Sequence, residues 1–404
     1  ALYRRLGFEI APVELLVSGD DEGRRFAYTL PFQLVARIAA AYPHTAALED
    51  AYAAADPAAR LIWERYGLDA HTHTIFSDPL LTAEGDLTET RNYTPYVASQ
   101  DTGAARKWAL LAPHVRPGRV VDIGAGAGSL LAEAAADPAL ADSDLYGIEI
   151  ARPLYETCLH RRSLGHFRNP NTFFYRANIL TGPLFPAGSV DTTLTVSLNH
   201  EIDSYGVSGD LERLAKAIFD HTRPGGVWLN LDVVGPEDPD RRVRLYLNDR
   251  PTAERTVRWE DWEPSMAADP ASAPAVLARL TPAARFRCFA RDFRAGYRDA
   301  GVPFEVVAPA VVDLPMRYAA EFLAHWEYID SWHSECKERF AYHTPADLIR
   351  LAADAGFVVD SASGPFRNPW VVENRFAAAA RLTDTAVRPL PWPPTNILVV
   401  AHRL

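Results

Sequence analysis

The feature that most constrains this chain is the run Val120-Val121-Asp122-Ile123-Gly124-Ala125-Gly126-Ala127-Gly128. Three glycines at alternate positions follow an apolar, strand-prone segment and precede Ser129-Leu130-Leu131-Ala132-Glu133-Ala134, a helix-prone one. Such a pattern describes a strand, a tight turn and a helix. Glycine is needed where the backbone takes φ > 0 or lets a ligand pass within contact distance. In an open α/β sheet that turn lies at the carboxyl ends of the strands, where ligands bind. Glu149 ends the next apolar run, about 20 residues beyond the loop, where a carboxylate can accept both hydroxyls of a ribose.

The surrounding pattern agrees with that reading. From Asp101 onward short apolar runs alternate with amphipathic segments, as βαβ units produce. Strands are expected at Arg119–Gly124, Leu145–Ile150, Thr172–Asn178, Val190–Ser197 and Val227–Val234. Between the last two, Leu211, Leu214, Ala215, Ile218 and Phe219 share one helical face, with Ser208, Gly209 or Asp210 as the N-cap. Thr222-Arg223-Pro224-Gly225-Gly226 stops that helix and turns the chain into the next strand. A further helix, Thr344 to Ala355, and strands at Phe357–Ser361 and Asn396–His402 complete the pattern.

Two stretches fall outside it. Residues 1–92 read as a helical segment, with Phe32 to Ala41 and Ala46 to Tyr66 at helical spacing, Leu61, Ile62, Trp63 and Tyr66 as core anchors, and Asp78 to Arg91 as a polar connection. Residues 236–342 are too long for a loop and read as a mainly helical insertion. The core then comprises residues 93–235 and 343–404. A chain of 404 residues with 48% hydrophobic content is long enough to bury this many units.

The net charge of -11 argues against a nucleic-acid partner, since phosphate binding needs clustered Lys and Arg. Cys158, Cys288 and Cys336 are widely spaced and form no CxxC pair, so neither a disulfide framework nor a structural zinc site is expected. No apolar run reaches about 18 residues, the length of a membrane span. The first residues, Ala1-Leu2-Tyr3-Arg4-Arg5, lack the apolar core of a signal peptide. These features point to a cytoplasmic setting, with no membrane partner and with a homodimer left open. Heavy use of Ala, Arg and Pro beside only two Met matches a high-GC bacterial composition.

Dinucleotide loops space their glycines G-x-G-x-x-G and set a pyrophosphate on the helix N-terminus. Here the order is Asp122-x-Gly124-x-Gly126-x-Gly128. That segment resembles the first motif, D/E-x-G-x-G-x-G, of the class I S-adenosylmethionine (SAM)-dependent methyltransferase superfamily. Arg176-Ala177-Asn178-Ile179 and Arg223-Pro224-Gly225-Gly226 are similar to that family's segments after the third strand and before the fifth. The resemblance implies an α/β, Rossmann-like, seven-stranded mostly parallel sheet with helices on both faces, and SAM as cofactor. It implies that Asp122 helps hold the cationic methionine end, with Gly124, Ala125 and Gly126 in the cradle and Glu149 on the ribose. Ile150 would then lie next to the adenine, and Asn178 and Ile179 would present the amide contact usually made by an Asp. Tyr93-Thr94-Pro95-Tyr96 and Gln100 resemble the approach segment over the methionine moiety, where Tyr96 either meets the sulfonium as a cation–π contact or packs as core.

The chemical end should lie after the fourth strand, at Ser197-Leu198-Asn199-His200-Glu201-Ile202-Asp203-Ser204-Tyr205. Asn199 and Ser197 would touch cofactor or substrate. His200 could take a proton from a hydroxyl or amine, and Glu201 could do so or hold an amine; either could equally cap the next segment. The Asn/Asp-Pro-Pro-aromatic run of many base- and amide-methylating relatives is absent, which leaves a small-molecule substrate of natural-product type as the expected acceptor. Tyr318, Phe322, Trp326, Tyr328 and Trp332 step at helical spacing through the insertion, as core or as a substrate lid. Neither His333, Glu335, Cys336 and Glu338 nor His71-Thr72-His73 matches a metal pattern, and no metal is expected. A SAM-utilising enzyme that releases methylthioadenosine, a protein methyltransferase and a non-catalytic binding protein stay open, because fold resemblance does not fix a reaction.

Overall fold

Strands buried on both faces must carry near-continuous apolar or satisfied residues, and this governs the centre of the molecule. The computed structural model describes residues 93–404 apart from Ala271; the expected helices before residue 93, their anchors and His71 and His73 lie outside the described residues. β1 (Arg119–Ile123), β2 (Asp144–Glu149), β3 (Thr172–Arg176), β4 (Val190–Val196) and β5 (Thr222–Val233) pair in parallel, in the order β3-β2-β1-β4-β5. The order reverses between β1 and β4, so a crevice opens there at the carboxyl edge.

β4 is Thr-rich, yet six of its seven residues are buried. Its hydroxyls are satisfied sideways: Thr192 Oγ1 bonds Arg116, Thr193 Oγ1 meets His221 Nε2 at 2.8 Å, and Thr195 Oγ1 donates to Asn230 Oδ1 at 2.9 Å. Trp228 Nε1 donates back to Thr195 Oγ1 at 2.9 Å, and its ring is 1% exposed.

α1 (Tyr93–Leu111) precedes β1, and α2 (Ser129–Ala136), α3 (Arg152–Ser163), α4 (Asn199–Tyr205) and α5 (Asp210–His221) lie between the strands that follow. Gly209 is the N-cap of α5, within the set the sequence allowed. α1 packs on α2 and is tied down at Asp101, whose carboxylate takes both Arg161 Nη groups at 2.7 and 2.8 Å. Its inner face, Gln100, Ala104, Lys107, Trp108 and Leu111, steps at helical spacing, and that spacing brings Gln100 and Lys107 to the crevice.

Past residue 235 the chain leaves the main sheet. β6 (Arg242–Leu247), β7 (Glu305–Ala308) and β8 (Val311–Pro315) form an antiparallel sheet completed by β11 (Ala380–Asp384), in the order β11-β6-β8-β7. Against it pack α6 (Ala273–Ala278), α7 (Pro282–Asp292), α8 (Met316–His325) and α9 (Trp332–Glu335). Helix outweighs strand in the insertion, as expected, but the second sheet was not foreseen. The chain returns through α10 (Pro345–Asp354), opened by a Thr344 and Asp347 capping box. β12 (Asn396–His402) then pairs antiparallel with β5, and β9 (Val358–Val359) and β10 (Gly364–Phe366) pair with β12. The main sheet is therefore Rossmann-like and mostly parallel, with seven strands on its path and β9 as an eighth beside it.

Trp228 is the largest side chain locked between β4, β5 and Phe357. Trp228→Ala should cost about 3–5 kcal/mol in urea unfolding, and a loss below about 1 kcal/mol would contradict this packing.

Candidate functional site

The glycine loop is shaped from both sides. Gly124, Gly126 and Gly128 take φ of 74°, 56° and 77°, the left-handed region that other residues avoid. Gly124 and Ala125 donate their N–H groups to Ile148 O at 2.9 and 3.1 Å, which seats the turn over the end of β2. A Cβ on Gly126 would stand 2.6 Å from the Gln100 side-chain amide, whose Oε1 accepts from Ala127 N at 3.2 Å. The sequence places Gln100 in the approach segment, and the helical register of α1 brings it onto the loop.

Glu149 closes this arrangement. It is 6% exposed, and its carboxylate accepts from Gly126 N at 2.8 Å and from Ala151 N at 2.7 Å. Ile150 follows it, half-buried. Asn178 uses its Oδ1 to cap the turn Ile179–Thr181 through Leu180 N at 2.8 Å. Ile179 is buried against the apolar core beneath that edge. Tyr96 lies on α1, and its side chain is outside what the structure describes.

Asp122, at the carboxyl end of β1, is 2% exposed, and among the described residues its Oδ1 has no hydrogen-bond partner. Burial pushes its pKa up to about 7, against the pull of Lys107. Lys107 reaches the crevice from α1 and donates to Ser197 Oγ at 3.2 Å. Burial lowers the Lys107 pKa, while Asp232 and Asp122 oppose that shift. Ser197 itself has φ 56°, an uncommon backbone state for serine that re-aims the chain after β4. Lys107 carried no motif signal in the sequence; only its place on the inner face of α1 could have found it.

The acceptor end follows directly. Asn199 is 2% exposed, and neither atom of its side-chain amide has a partner among the described residues. Its backbone N–H donates to Asp232 Oδ2 at 2.7 Å. His200 Nδ1 lies 2.6 Å from Asp232 Oδ1, and its Nε2 lies 3.4 Å from Glu338 Oε2. The Glu338 Oε1 accepts from Tyr205 Oη at 2.9 Å, and the Phe340 ring stands edge-on to the imidazole at 5.1 Å. Glu201 is half-buried beside them.

Burial would lower the His200 pKa, but Asp232 and Glu338, facing its two nitrogens, outweigh burial and hold it well above the ordinary range. Asp232 was missed, and Glu338 and Tyr205 were named without being brought to His200, because strand alternation and insertion length say nothing of which groups converge on a histidine. The insertion's stripe is mostly core: Phe322, Trp326 and Trp332 are buried. Among the described residues, the three-donor group that could hold a metal is His200, Glu201 and Glu338, not the His333 set.

No protein-family model matches the chain, and no curated protein matches it. A solved geranyl diphosphate C-methyltransferase from Streptomyces coelicolor A3(2), in complex with Mg2+, geranyl diphosphate and S-adenosyl-L-homocysteine, is similar at 11% identity. That similarity covers 80% of this chain and 87% of that one, with a TM-score of 0.39. A glycopeptide N-methyltransferase complexed with SAM is similar at 13% identity, covering 75% of this chain and 94% of that one, with a TM-score of 0.36. A TehB-like SAM-dependent methyltransferase from Corynebacterium glutamicum is similar at 14% identity, covering 36% of this chain and 73% of that one, with a TM-score of 0.28. The strand order β3-β2-β1-β4-β5, closed by an antiparallel β12, is what makes the sheet Rossmann-like.

Asp122 yields a stability test. Its folded pKa lies above the ordinary carboxylate value of 3.8, so the folded state keeps a proton that the unfolded chain releases. Its contribution is therefore most favourable at low pH and is lost as pH rises from about 4 through about 7. Asp122→Asn, neutral throughout, should raise Tm more at pH 8 than at pH 5. An equal effect at both pH values would contradict this burial.

Proposed function

We propose that this chain binds SAM across the glycine loop and transfers its methyl group to a small-molecule acceptor. The observation that carries this reading is the charge of the cradle. Asp122 is buried beneath the loop with an oxygen that has no partner among the described residues, and Glu149 sits at its far end. Asp232 and Glu338 line the continuation toward the insertion. A buried polar atom without a partner costs about 1–3 kcal/mol, so a ligand that completes it is favoured. A sulfonium and an ammonium complement such a site, whereas a pyrophosphate would meet carboxylates on most sides.

The residues fit the cofactor part by part. Asp122 would hold the ammonium, and Lys107 the carboxylate, of the methionine moiety. Glu149, already oriented by two backbone N–H groups, would take the ribose, with Ile150, Asn178 and Ile179 toward the adenine. SAM supplies a methyl group made electrophilic by its sulfonium. What the chain must supply is alignment and exclusion of water, since an SN2 displacement depends on approach geometry more than on a strong base. Asn199, whose two amide atoms have no partner among the described residues, would position the acceptor, and His200, Glu201 and Glu338 would orient its polar group. The insertion contributes Glu338 and Phe340 to that end and so helps to shape the substrate pocket.

Titration calorimetry of the full chain should give one site for SAM and for S-adenosylhomocysteine, and none for NAD. Asp122→Asn and Glu149→Gln should each weaken SAM binding by at least about tenfold, or about 1.4 kcal/mol. Affinity for SAM should also rise with pH through about 7, because Asp122 must lose its proton to hold an ammonium. Binding of NAD in place of SAM would refute the reading. Methylthioadenosine formed from SAM alone would overturn methyl transfer while leaving SAM as the substrate.

A further inference from the structure

We propose that His200, Glu201 and Glu338 form a site for one divalent transition cation, Mn2+ or Zn2+, at the acceptor end of the crevice. The inference rests on reading that end as the place of reaction. One donor atom from each residue lies within 4.8 Å of the others. Donors bound to one ion at about 2.0–2.2 Å stand about 3–4 Å apart, so small side-chain adjustments close the set.

Two of the donors are pre-oriented by partners on their far atoms. His200 Nδ1 is held by Asp232 Oδ1 at 2.6 Å, and Asp232 is itself fixed by the N–H groups of Leu198, Asn199 and Val233 at 3.1, 2.7 and 2.8 Å. A carboxylate behind an imidazole is the arrangement that orients metal-binding histidines and raises their basicity as ligands. Glu338 is pinned in the same way, with Tyr205 Oη on Oε1 while Oε2 turns toward His200 Nε2. The forward-facing atoms are thus an imidazole nitrogen and carboxylate oxygens brought together from two distant parts of the chain.

The donor chemistry selects the ion. An imidazole among carboxylates suits Mn2+ and Zn2+, while Mg2+ dehydrates reluctantly and prefers all-oxygen shells. An ion on Nε2 displaces the proton that nitrogen carries toward Glu338, and the two carboxylates with the imidazole then have a charge of -2, which matches a dication. Three protein donors leave at least one coordination position open. An acceptor bearing a hydroxyl, enol or carboxylate can fill that position; the ion lowers the pKa of a hydroxyl or enol so that its proton passes to solvent water, and the oxygen then takes the methyl group as the sulfonium leaves as a neutral thioether. The class of acceptor is therefore an oxygen ligand, placed toward the sulfonium by the ion.

The test uses the full chain, stripped with chelator and titrated with MnCl2 and, separately, with ZnCl2. We expect one saturable site for either ion, weakened at least about tenfold by Glu338→Gln and by Glu201→Gln, and about 10- to 100-fold by Asp232→Asn. Glu201 is half-buried, so Glu201→Gln reads the site even if the Glu338 variant fails to fold. No saturable uptake by the wild type, or uptake unchanged in Glu201→Gln, overturns the proposal. S-adenosylhomocysteine titrated into the same sample separates the two readings. Its binding without metal uptake removes only the metal site, whereas metal uptake without it removes the cofactor reading and keeps the site.

Discussion

The tie between Glu149 and Gly126 organises the rest of this structure. A carboxylate at the end of β2 accepts the N–H of the middle glycine at 2.8 Å and thereby holds the loop that ends β1 against its neighbour. Because Gly124, Gly126 and Gly128 all take positive φ, the chain can turn tightly enough to meet that carboxylate and still enter α2. Gln100 closes the opposite side of the turn, so the loop is clamped between an acid from the sheet and an amide from α1. The crevice at the strand-order reversal owes its shape to this pair of contacts.

A second constraint joins the insertion to the sheet. Glu321, 1% exposed on α8, accepts the N–H groups of Phe340 and Ala341 at 2.9 and 2.8 Å. Burial pushes its pKa up to about 7, opposed by those two bonds. His325 stacks on the Phe340 ring at 4.1 Å, and Arg294 bonds the carbonyls of Ser204 and Lys337 across the junction. These contacts fix residues 337–341 over α4, and Glu338 reaches His200 as a consequence. The acceptor end of the site is therefore a joint product of the sheet and the insertion.

Much of the sheet was legible because its signals are local. The strand before Asp122, the helix after Gly128 and the face of α5 are written in consecutive residues, and the Asn396–His402 strand falls where expected. The second sheet was not legible, because β11 comes from about 130 residues beyond β6, a separation at which periodicity says nothing about pairing. The same holds for the site. Asp122, Glu149, Asn199 and His200 stand within recognisable segments, whereas Lys107, Asp232, Tyr205 and Glu338 join them only through tertiary contacts. Asp232 is instructive: within β5 it reads as a polar break in an apolar run, yet it anchors His200 and the start of α4.

A crystal structure of the chain with S-adenosylhomocysteine tests the central claim most directly. The account predicts the ribose hydroxyls on Glu149, the ammonium on Asp122 and the sulfur facing Asn199 and His200. Ligand density away from the glycine loop, or an adenosine moiety that leaves Glu149 without a hydroxyl contact, would contradict it.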